Sequence, residues 1–342
     1  MPVKQITLDE PLLACQNQLG EGCLWDASTK LLHWVDIKRT QIHTLDPKTG
    51  NRSIDDYSES FDTMITSLTL RKDQPGFIGT HTTHLAAFPA ATTPTTPNPT
   101  PVKRQSSPLP GNKQFTIPEK YTQDKKDGTD RFNDGACDAL GRFWKLIAGM
   151  LVGRIGTMGV KPENRKAQFY RYDPDGKVTT MLEDVGCSNG IGWSPDNKIM
   201  YYIDSPRKTI LTFDFDLEAG SISNERIFAT SDAFDGGVFD GLCMDAEGAV
   251  WAARWGSGRV VRYMPDGTLD TEIVLPKALN VTCCIFGALS LPTGDDMQDL
   301  YITTASCGQD NESLIPKYPQ GGDLFRVKID GVRGVERFKF AA

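Results

Sequence analysis

Four short stretches of the sequence place an acidic or amide residue directly before a glycine, and each leads into an apolar run. The four polar residues are Glu21, Asp134, Asn189 and Asp240. Carboxylate and amide oxygens are the ligands that hard divalent cations prefer. A cation held by two carboxylates and an amide keeps positions open for water or substrate, and it can activate that water for hydrolysis. We therefore expect a metal site with hydrolytic chemistry, if the fold gathers these residues.

The alternative is that the four pairs are only turns, because Asp and Asn before Gly are common turn formers. Four pairs at one phase of a repeat favour a shared site, although repeats also copy turn chemistry.

The elements that must position these residues repeat along the chain. A β-rich run, a short polar break and a second β-rich run recur, for example at 31–45 and 199–214. Turn signals fall about 45–65 residues apart, the spacing of four-stranded propeller blades, at Asp26, Asp73, Asp138, Asp196, Asp245 and Asp295. They predict an all-β, six-bladed β-propeller in which residues 1–342 form a single domain. The first strand of each blade lines the central channel, so the polar–glycine pairs should meet at one mouth.

One segment departs from the repeat. Residues 89–128 are rich in Pro and Thr, with many Ser, Lys and Asn residues. A segment of this composition buries too little apolar surface to offset its ordering entropy. We predict a flexible insertion within the third blade region. It is either a tolerated surface loop, or a lid over the channel mouth or a partner-docking arm.

Composition and charge exclude several classes of function. The formal net charge is -7, and no basic stripe is present to neutralise phosphates, so we expect no nucleic-acid partner. No apolar run approaches the roughly 20 residues that span a bilayer, so we expect no membrane partner. The eight cysteines form no C-x-x-C pair and the N-terminus has no apolar signal core, which favours a cytoplasmic protein with reduced thiols. We expect a monomer or a weak homo-oligomer.

Several stretches resemble the family that includes regucalcin (senescence marker protein), gluconolactonases and related sugar lactonases. They are LGEGCLWD at 19–26, RFNDG at 131–135, SNGIGWSPD at 188–196, FDGL at 239–242 and WGSGRVVR at 255–262. The resemblance spans most of residues 15–330, apart from the Pro/Thr-rich insertion.

This resemblance implies a six-bladed propeller with one divalent cation at the channel mouth, held by Glu21, Asn189 and Asp240. Arg131 and Asn133 would contact the substrate, and Asp240 would be the general base. The implied reaction is hydrolysis of a sugar-acid lactone, in which the carbonyl is polarised, water attacks it and the ring opens. The cation is Ca²⁺, Zn²⁺, Mg²⁺, Mn²⁺ or Fe²⁺, because an all-oxygen site accepts several metals.

Three other functions stay open at this point. The first is a calcium-binding regulatory propeller without significant hydrolase activity. The second is a metal-assisted esterase or phosphoesterase of other specificity, and the third is an interaction scaffold. The sequence does not identify the sugar, because the candidate aldonolactones differ only in the placement of hydroxyl groups.

Overall fold

The computed structural model describes residues 2–59, 64–109, 115–116, 131–148, 167–231, 236–289, 296–309 and 311–341. They form six β-sheets, which confirms the predicted all-β, six-bladed propeller. Blade 1 contains β2 (Gly20–Asp26), β3 (Leu31–Asp36), β4 (Gln41–Leu45), β5 (Arg52–Asp56) and β9 (Val102–Lys103). Blade 2 contains β6 (Ser67–Leu70), β7 (Phe77–Thr80), β8 (Leu85–Phe88) and β10 (Ser107–Pro108). Blade 3 contains β11 (Arg131–Cys137), β12 (Phe143–Ala148), β13 (Ala167–Tyr172) and β14 (Val178–Val185). Blade 4 contains β15 (Ser188–Trp193), β16 (Ile199–Asp204), β17 (Thr209–Asp216) and β18 (Ser221–Thr230). Blade 5 contains β19 (Val238–Met244), β20 (Val250–Trp255), β21 (Arg259–Tyr263), β22 (Leu269–Val274) and β1 (Lys4–Thr7). Blade 6 contains β23 (Asn280–Gly287), β24 (Asp299–Ala305) and β25 (Phe325–Lys328).

The remaining regular structure in the described part of the chain is short. Helical turns of the 3₁₀ type cover Ser205–Arg207, Cys307–Gln309 and Glu312–Leu314. Within the described ranges, no helix has the length and apolar character needed to cross a membrane. The eight cysteines form no disulfide bond among the described residues.

The first strands of the six blades form a closed ring around the channel. Each of β2, β6, β11, β15, β19 and β23 contacts the first strands of the two neighbouring blades, and β23 contacts β2 to complete the circle. All six strands run in the same direction through the ring, so residues at their starts share one mouth of the channel.

Apolar side chains fill the spaces between neighbouring blades. Large aromatic residues dominate there: the rings of Trp144 and Trp193, from blades 3 and 4, lie 6.0 Å apart, and Trp251 of blade 5 is fully buried. Aromatic side chains give the most buried area per residue. The sheets are therefore held face to face at fixed angles, and the inner strands inherit that rigidity.

The aspartates that marked the predicted turns fix the ends of the inner strands. Asp138 Oδ1 accepts a hydrogen bond from the Leu140 backbone N–H at 3.0 Å, and its Oδ2 accepts from Trp144 Nε1 at 2.7 Å. Asp245 does the same with Glu247 at 3.0 Å and Trp251 at 2.9 Å. Each carboxylate thus closes its turn and anchors the tryptophan of the next strand. The turn signal at Asp295 lies outside the described residues.

The N-terminal segment closes the ring. Leu13 and Leu324 exchange backbone hydrogen bonds of 3.0 and 3.1 Å at the edge of blade 6, and β1 pairs in parallel with β22 of blade 5. One segment that enters blade 1 therefore also covers the outer edges of the two blades that precede it in the ring.

The described first part of the Pro/Thr-rich insertion lies in blade 2 rather than in the third blade region. Its residues Ser107–Pro108 pair with β8 and supply the fourth strand of blade 2. Residues Val102–Lys103 pair with β5 of blade 1. The Asp55 carboxylate, which is almost fully buried, accepts hydrogen bonds from the Thr92 side chain and backbone. Residues 89–109 have no apolar core of their own and are held instead by hydrogen bonds to the edges of blades 1 and 2. Of residues 110–128, only 115 and 116 are described, so the flexibility of that part stays a prediction.

The C-terminal segment crosses the channel end opposite the starts of the inner strands. It forms single β-bridges with Asp245 of blade 5, with Cys137 of blade 3 and with Arg71 of blade 2. The half-buried Arg337 donates a hydrogen bond from Nη2 to the Leu242 carbonyl oxygen at 2.7 Å. A cavity of about 50 Å³ lies between this segment and the inner strands.

The buried His43 of blade 1 makes stability depend on pH. Its ring stacks on Trp34 at 5.1 Å, and neither ring nitrogen has a hydrogen-bond partner among the described residues. Burial lowers the pKa of His43 to about 3, with smaller contributions from Arg52 and Arg39. Between this value and the ordinary pKa near 6.5, the unfolded state binds more protons, so stability falls as the pH falls through that window.

We predict that His43→Phe removes this dependence while it keeps the stacking on Trp34. The loss of unfolding free energy between pH 7.5 and pH 5.0 should be about 2 kcal/mol smaller in the variant than in the wild type. Urea unfolding followed by tryptophan fluorescence at both pH values measures the difference. Equal losses in the two proteins would contradict the assignment.

Candidate active site

An irregularity recurs near the start of five inner strands and places the polar residues in the channel. The pairing register with the second strand shifts between Glu21 and Leu24 in β2, and between Ser188 and Ile191 in β15. The shifts in β11, β19 and β23 fall at 132–135, 239–242 and 281–283. Bulges of this kind redirect side chains and interrupt pairing. The polar residues therefore face one another across the channel instead of lying within regular strand pairing.

The register corrects two predicted equivalences. In β2 the shift begins after Glu21, so Glu21 matches Ser188 of β15 and Phe239 of β19. In β11 the shift begins after Phe132, so Asn133 occupies the position that Asn189 holds in β15 and Asp240 holds in β19. Asp134 instead matches the glycine that follows in those strands. Two consecutive polar residues of blade 3 therefore reach the site.

The glycines after Asn189 and Asp240 are required by the neighbouring blades. A Cβ on Gly190 would lie 2.5 Å from the Leu242 backbone nitrogen, and one on Gly241 would lie 2.7 Å from Cys283 Sγ. A Cβ atom does not approach a non-bonded heavy atom this closely, so a side chain at either position would push the inner strands apart. The glycine half of the motif therefore serves packing, and the polar half is left for chemistry.

All the predicted site residues come together at the mouth. Glu21, Arg131, Asn133, Asp134, Asn189 and Asp240 are each between 4% and 7% exposed and come from blades 1, 3, 4 and 5. Arg131 Nη1 donates to Asn133 Oδ1 at 2.7 Å, and Asn133 Nδ2 donates to Asn189 Oδ1 at 3.2 Å. The proposed roles of these residues rest on this shared location.

Three buried carboxylates repel one another in this space. Burial raises the pKa of Glu21 to about 8, and the charge of Asp134 adds to the increase. Burial also raises the pKa of Asp240, followed by the charges of Glu21 and Asp134, while Arg131 and a hydrogen bond from Asn189 oppose the increase. In the cation-free protein, ionising Glu21 and Asp240 is therefore costly.

The oxygen donors of the site fit a divalent cation. Asp134 Oδ2 is buried without a hydrogen-bond partner in the described part of the chain. Glu21 and Asp240 lie close enough to repel each other, and a hard cation would neutralise that charge. Across the described ranges, no three side chains drawn from His, Cys, Asp and Glu are placed to share a metal ion. The candidate set therefore stays the one predicted from the sequence, two carboxylates with the Asn189 amide.

Two functional neighbours of the site were not predicted from the sequence. Ser205 lies in the 3₁₀ turn after β16 and accepts a hydrogen bond from Asn189 Nδ2 at 3.0 Å. Arg337 approaches from the opposite end of the channel and lies within electrostatic reach of Glu21 and Asp134. Neither residue lies in a repeated motif, so the sequence carries no signal for them beyond their residue types.

The fold and the site define a six-bladed propeller with an acidic, amide-containing cluster at one channel mouth. Residues 19–306 match the family model described as SMP-30/Gluconolactonase/LRE-like region. The chain therefore belongs to the SMP-30/gluconolactonase/LRE-like family.

Individual relatives agree with this family. The chain is 38% identical over 210 residues to regucalcin of Danio rerio, which covers 61% of this chain and 66% of that protein. It is 31% identical over 318 residues to "Putative sugar lactone lactonase YvrE" of Bacillus subtilis, which covers 91% of each chain. The crystal structure of regucalcin from Agrobacterium tumefaciens, called a calcium-binding protein, superimposes with a TM-score of 0.75 at 23% identity and covers 99% of this chain and 100% of that one. That structural likeness shows the fold alone.

Burial of Glu21, reinforced by repulsion from Asp134, predicts an unusual pH profile for the cation-free protein. Between the ordinary carboxyl pKa of 4.5 and the raised pKa of about 8, folded Glu21 binds more protons than unfolded Glu21. Stability contributed by this group is therefore lost as the pH rises through that window. Glu21→Gln removes the titrating group, so with chelator present its melting temperature should exceed that of the wild type by a margin that grows from pH 5.5 to pH 8.5.

Glu225→Gln is a matched control, because Glu225 pairs with Arg207 at the exposed edge of blade 4. Its melting temperature should follow the wild-type profile in differential scanning fluorimetry. A Glu21→Gln profile parallel to the wild type would show that the repulsion is absent.

Proposed function

We propose that the protein is a divalent-cation-dependent hydrolase that opens the ring of a sugar-acid lactone. The observation that supports this most strongly is the convergence of Glu21, Asn189 and Asp240 with Arg131 and Asn133 at one mouth. The family and a relative named as a sugar lactone lactonase support the substrate class.

Glu21, Asn189 and Asp240 would hold the cation through their side-chain oxygens. When bound, the cation would polarise an ester carbonyl and lower the pKa of a water molecule. Burial of all three residues keeps competing water away, which strengthens each electrostatic contact.

Arg131 and Asn133 would bind and orient the substrate. In its contacts with described residues, the Arg131 guanidinium uses Nη1, which donates to Phe132 O at 2.9 Å and to Asn133 Oδ1 at 2.7 Å. These two bonds fix the plane of the guanidinium, so its other N–H groups have a defined direction. Hydrogen bonds from that plane suit the hydroxyl and carbonyl oxygens of a polyhydroxylated lactone.

Asp240 would act as the general base. Its carboxylate would accept a proton from the water that attacks the lactone carbonyl carbon. The bond between that carbon and the ring oxygen then breaks, and the ring oxygen leaves as a hydroxyl after it takes up a proton. The product is the open hydroxy acid, with one water consumed.

We predict that Asp240→Asn lowers kcat/KM for lactone hydrolysis at least 10²-fold, because the amide cannot accept the proton. The assay is a pH-indicator measurement with gluconolactone, galactonolactone, xylonolactone, arabinonolactone and rhamnonolactone, after chelation and readdition of single divalent metals. Wild-type turnover should disappear with chelator and return with at least one metal.

Asp214→Asn is the matched control, since Asp214 is an exposed carboxylate paired with Arg226 on the outside of blade 4. It should retain wild-type turnover. Wild-type rates in Asp240→Asn, with an unchanged circular dichroism spectrum, would remove Asp240 from the reaction.

Cation binding without turnover is the second candidate, because several relatives are named regucalcin and one is called a calcium-binding protein. Both candidates bind a divalent cation, so binding alone does not separate them. A wild-type protein that binds the cation but hydrolyses none of the five lactones, nor an aryl ester run beside them, would favour this second function.

A further inference from the structure

A continuous chain of hydrogen bonds crosses blades 3, 4 and 5 at the site. Arg131 Nη1 donates to Asn133 Oδ1 at 2.7 Å, Asn133 Nδ2 donates to Asn189 Oδ1 at 3.2 Å, and Asn189 Nδ2 donates to Ser205 Oγ at 3.0 Å. Ser205 Oγ in turn donates to the Phe239 carbonyl oxygen at 2.7 Å. All five residues are buried. We refer to these four bonds as the relay.

The chemistry at the two ends of the relay fixes its direction. A guanidinium can only donate, and a backbone carbonyl oxygen can only accept. Ser205 has a single hydroxyl proton, and the bond to Phe239 uses it. The Ser205 oxygen must therefore accept from Asn189, and only the NH₂ group of that amide can donate.

The same orientation of Asn189 follows independently from the other end. Arg131 must donate to Asn133, so the Asn133 oxygen faces Arg131 and its NH₂ group faces Asn189. The atom of Asn189 that receives this bond must be Oδ1. Amide orientation is normally ambiguous because oxygen and nitrogen look alike. Here, the Arg131 guanidinium at one end and the Phe239 carbonyl at the other determine the same orientation of the Asn189 amide.

We propose that Ser205 is a positioning residue that sets the Asn189 amide so that its oxygen, rather than its NH₂ group, is available to the divalent cation. This inference rests on the cation site of the proposed function and extends it to a residue outside the ligand set. Because Ser205 also bonds to the residue that precedes Asp240, the hydroxyl holds together the ligand-bearing strands of blades 4 and 5.

Removal of the Ser205 hydroxyl would leave the Asn189 amide held only by its bonds to Asn133 and Asp240. In Ser205→Ala, the NH₂ group loses an acceptor and the Phe239 carbonyl loses a donor. Loss of such a supporting group around a metal ligand typically costs 10–100-fold in metal affinity. Ser205→Thr keeps the hydroxyl and should restore most of the affinity.

An acidic replacement of Asn189 separates positioning from simple structural support. A carboxylate presents an oxygen in either of its two flipped orientations, so Asn189→Asp no longer needs to be oriented. Ser205→Ala should then reduce cation affinity less than 3-fold in the Asn189→Asp background, against at least 10-fold in the wild-type background. A purely structural role for Ser205 would give the same loss in both backgrounds.

Isothermal titration of the chelator-treated full chain with CaCl₂ and with MnCl₂ measures these affinities. Ser188→Ala is the matched control: Ser188 Oγ is hydrogen-bonded to the Tyr202 hydroxyl at 2.5 Å, beside Asn189 but outside the relay. We expect its cation affinity to lie within 3-fold of the wild type. Loss of affinity in Ser188→Ala equal to that in Ser205→Ala would overturn the assignment, as would an unchanged affinity in Ser205→Ala.

The test also separates this inference from the hydrolase proposal. A wild type that binds a cation, loses affinity in Ser205→Ala and hydrolyses no lactone supports the positioning role and removes the hydrolase. A wild type that hydrolyses lactones but shows equal affinity in Ser205→Ala removes the positioning role alone. The titrations include any further metal that restores turnover, and a wild type that binds none of these cations at millimolar concentration overturns both.

Discussion

Electrostatic repulsion among Glu21, Asp134 and Asp240 is the main constraint on the structure of the channel mouth. Three carboxylates from blades 1, 3 and 5 face one another where little water reaches them. Charges buried in this way destabilise the fold unless positive groups or a cation offset them. Arg131 provides a positive charge at the mouth, and Arg337 provides one from the far end. The rigid ring of aromatic-packed blades is what prevents the acids from moving apart.

The irregular starts of the inner strands explain how a β-sheet can carry such a cluster. In a regular strand, consecutive side chains face opposite sides, so a blade could offer only one residue near any level of the channel. The register shift in β11 lets Asn133 and Asp134 both contribute, and in β2 it brings in Glu21 together with Gly22, whose φ is +56°. Close approach of the next blade then demands glycine at Gly190 and Gly241. Chemistry and packing are thus divided between adjacent residues of one motif.

Much of this arrangement could be predicted from the sequence because a propeller repeats its local chemistry. Asp138 and Asp245 mark turns in the sequence because each carboxylate accepts a backbone N–H two residues on. Given the blades, the common acidic-or-amide–glycine motif predicts that Glu21, Asn189 and Asp240 meet at one mouth. The predicted equivalence of Asp134 with Asn189 and Asp240 was wrong by one residue. The position of a register shift depends on pairing with the second strand, and the sequence of the first strand does not show it.

Contacts made across space were beyond reach of the sequence. Ser205 follows an ordinary strand and reaches Asn189 only because two blades lie side by side. The insertion was predicted from its lack of apolar residues, yet the available backbone groups at the edges of β5 and β8 give its first part a place to pair. Composition describes what a segment lacks and does not describe which edges its neighbours leave open.

The C-terminal segment beneath the inner strands has a consequence for traffic through the molecule. Many rings of sheets are open at both ends, but here Arg337 and its neighbours pack across the end opposite the mouth. Among the described residues, the carboxylates are therefore reached from the mouth where the inner strands begin. The two ends of the channel also differ in charge, with carboxylates at the mouth and the Arg337 guanidinium at the covered end.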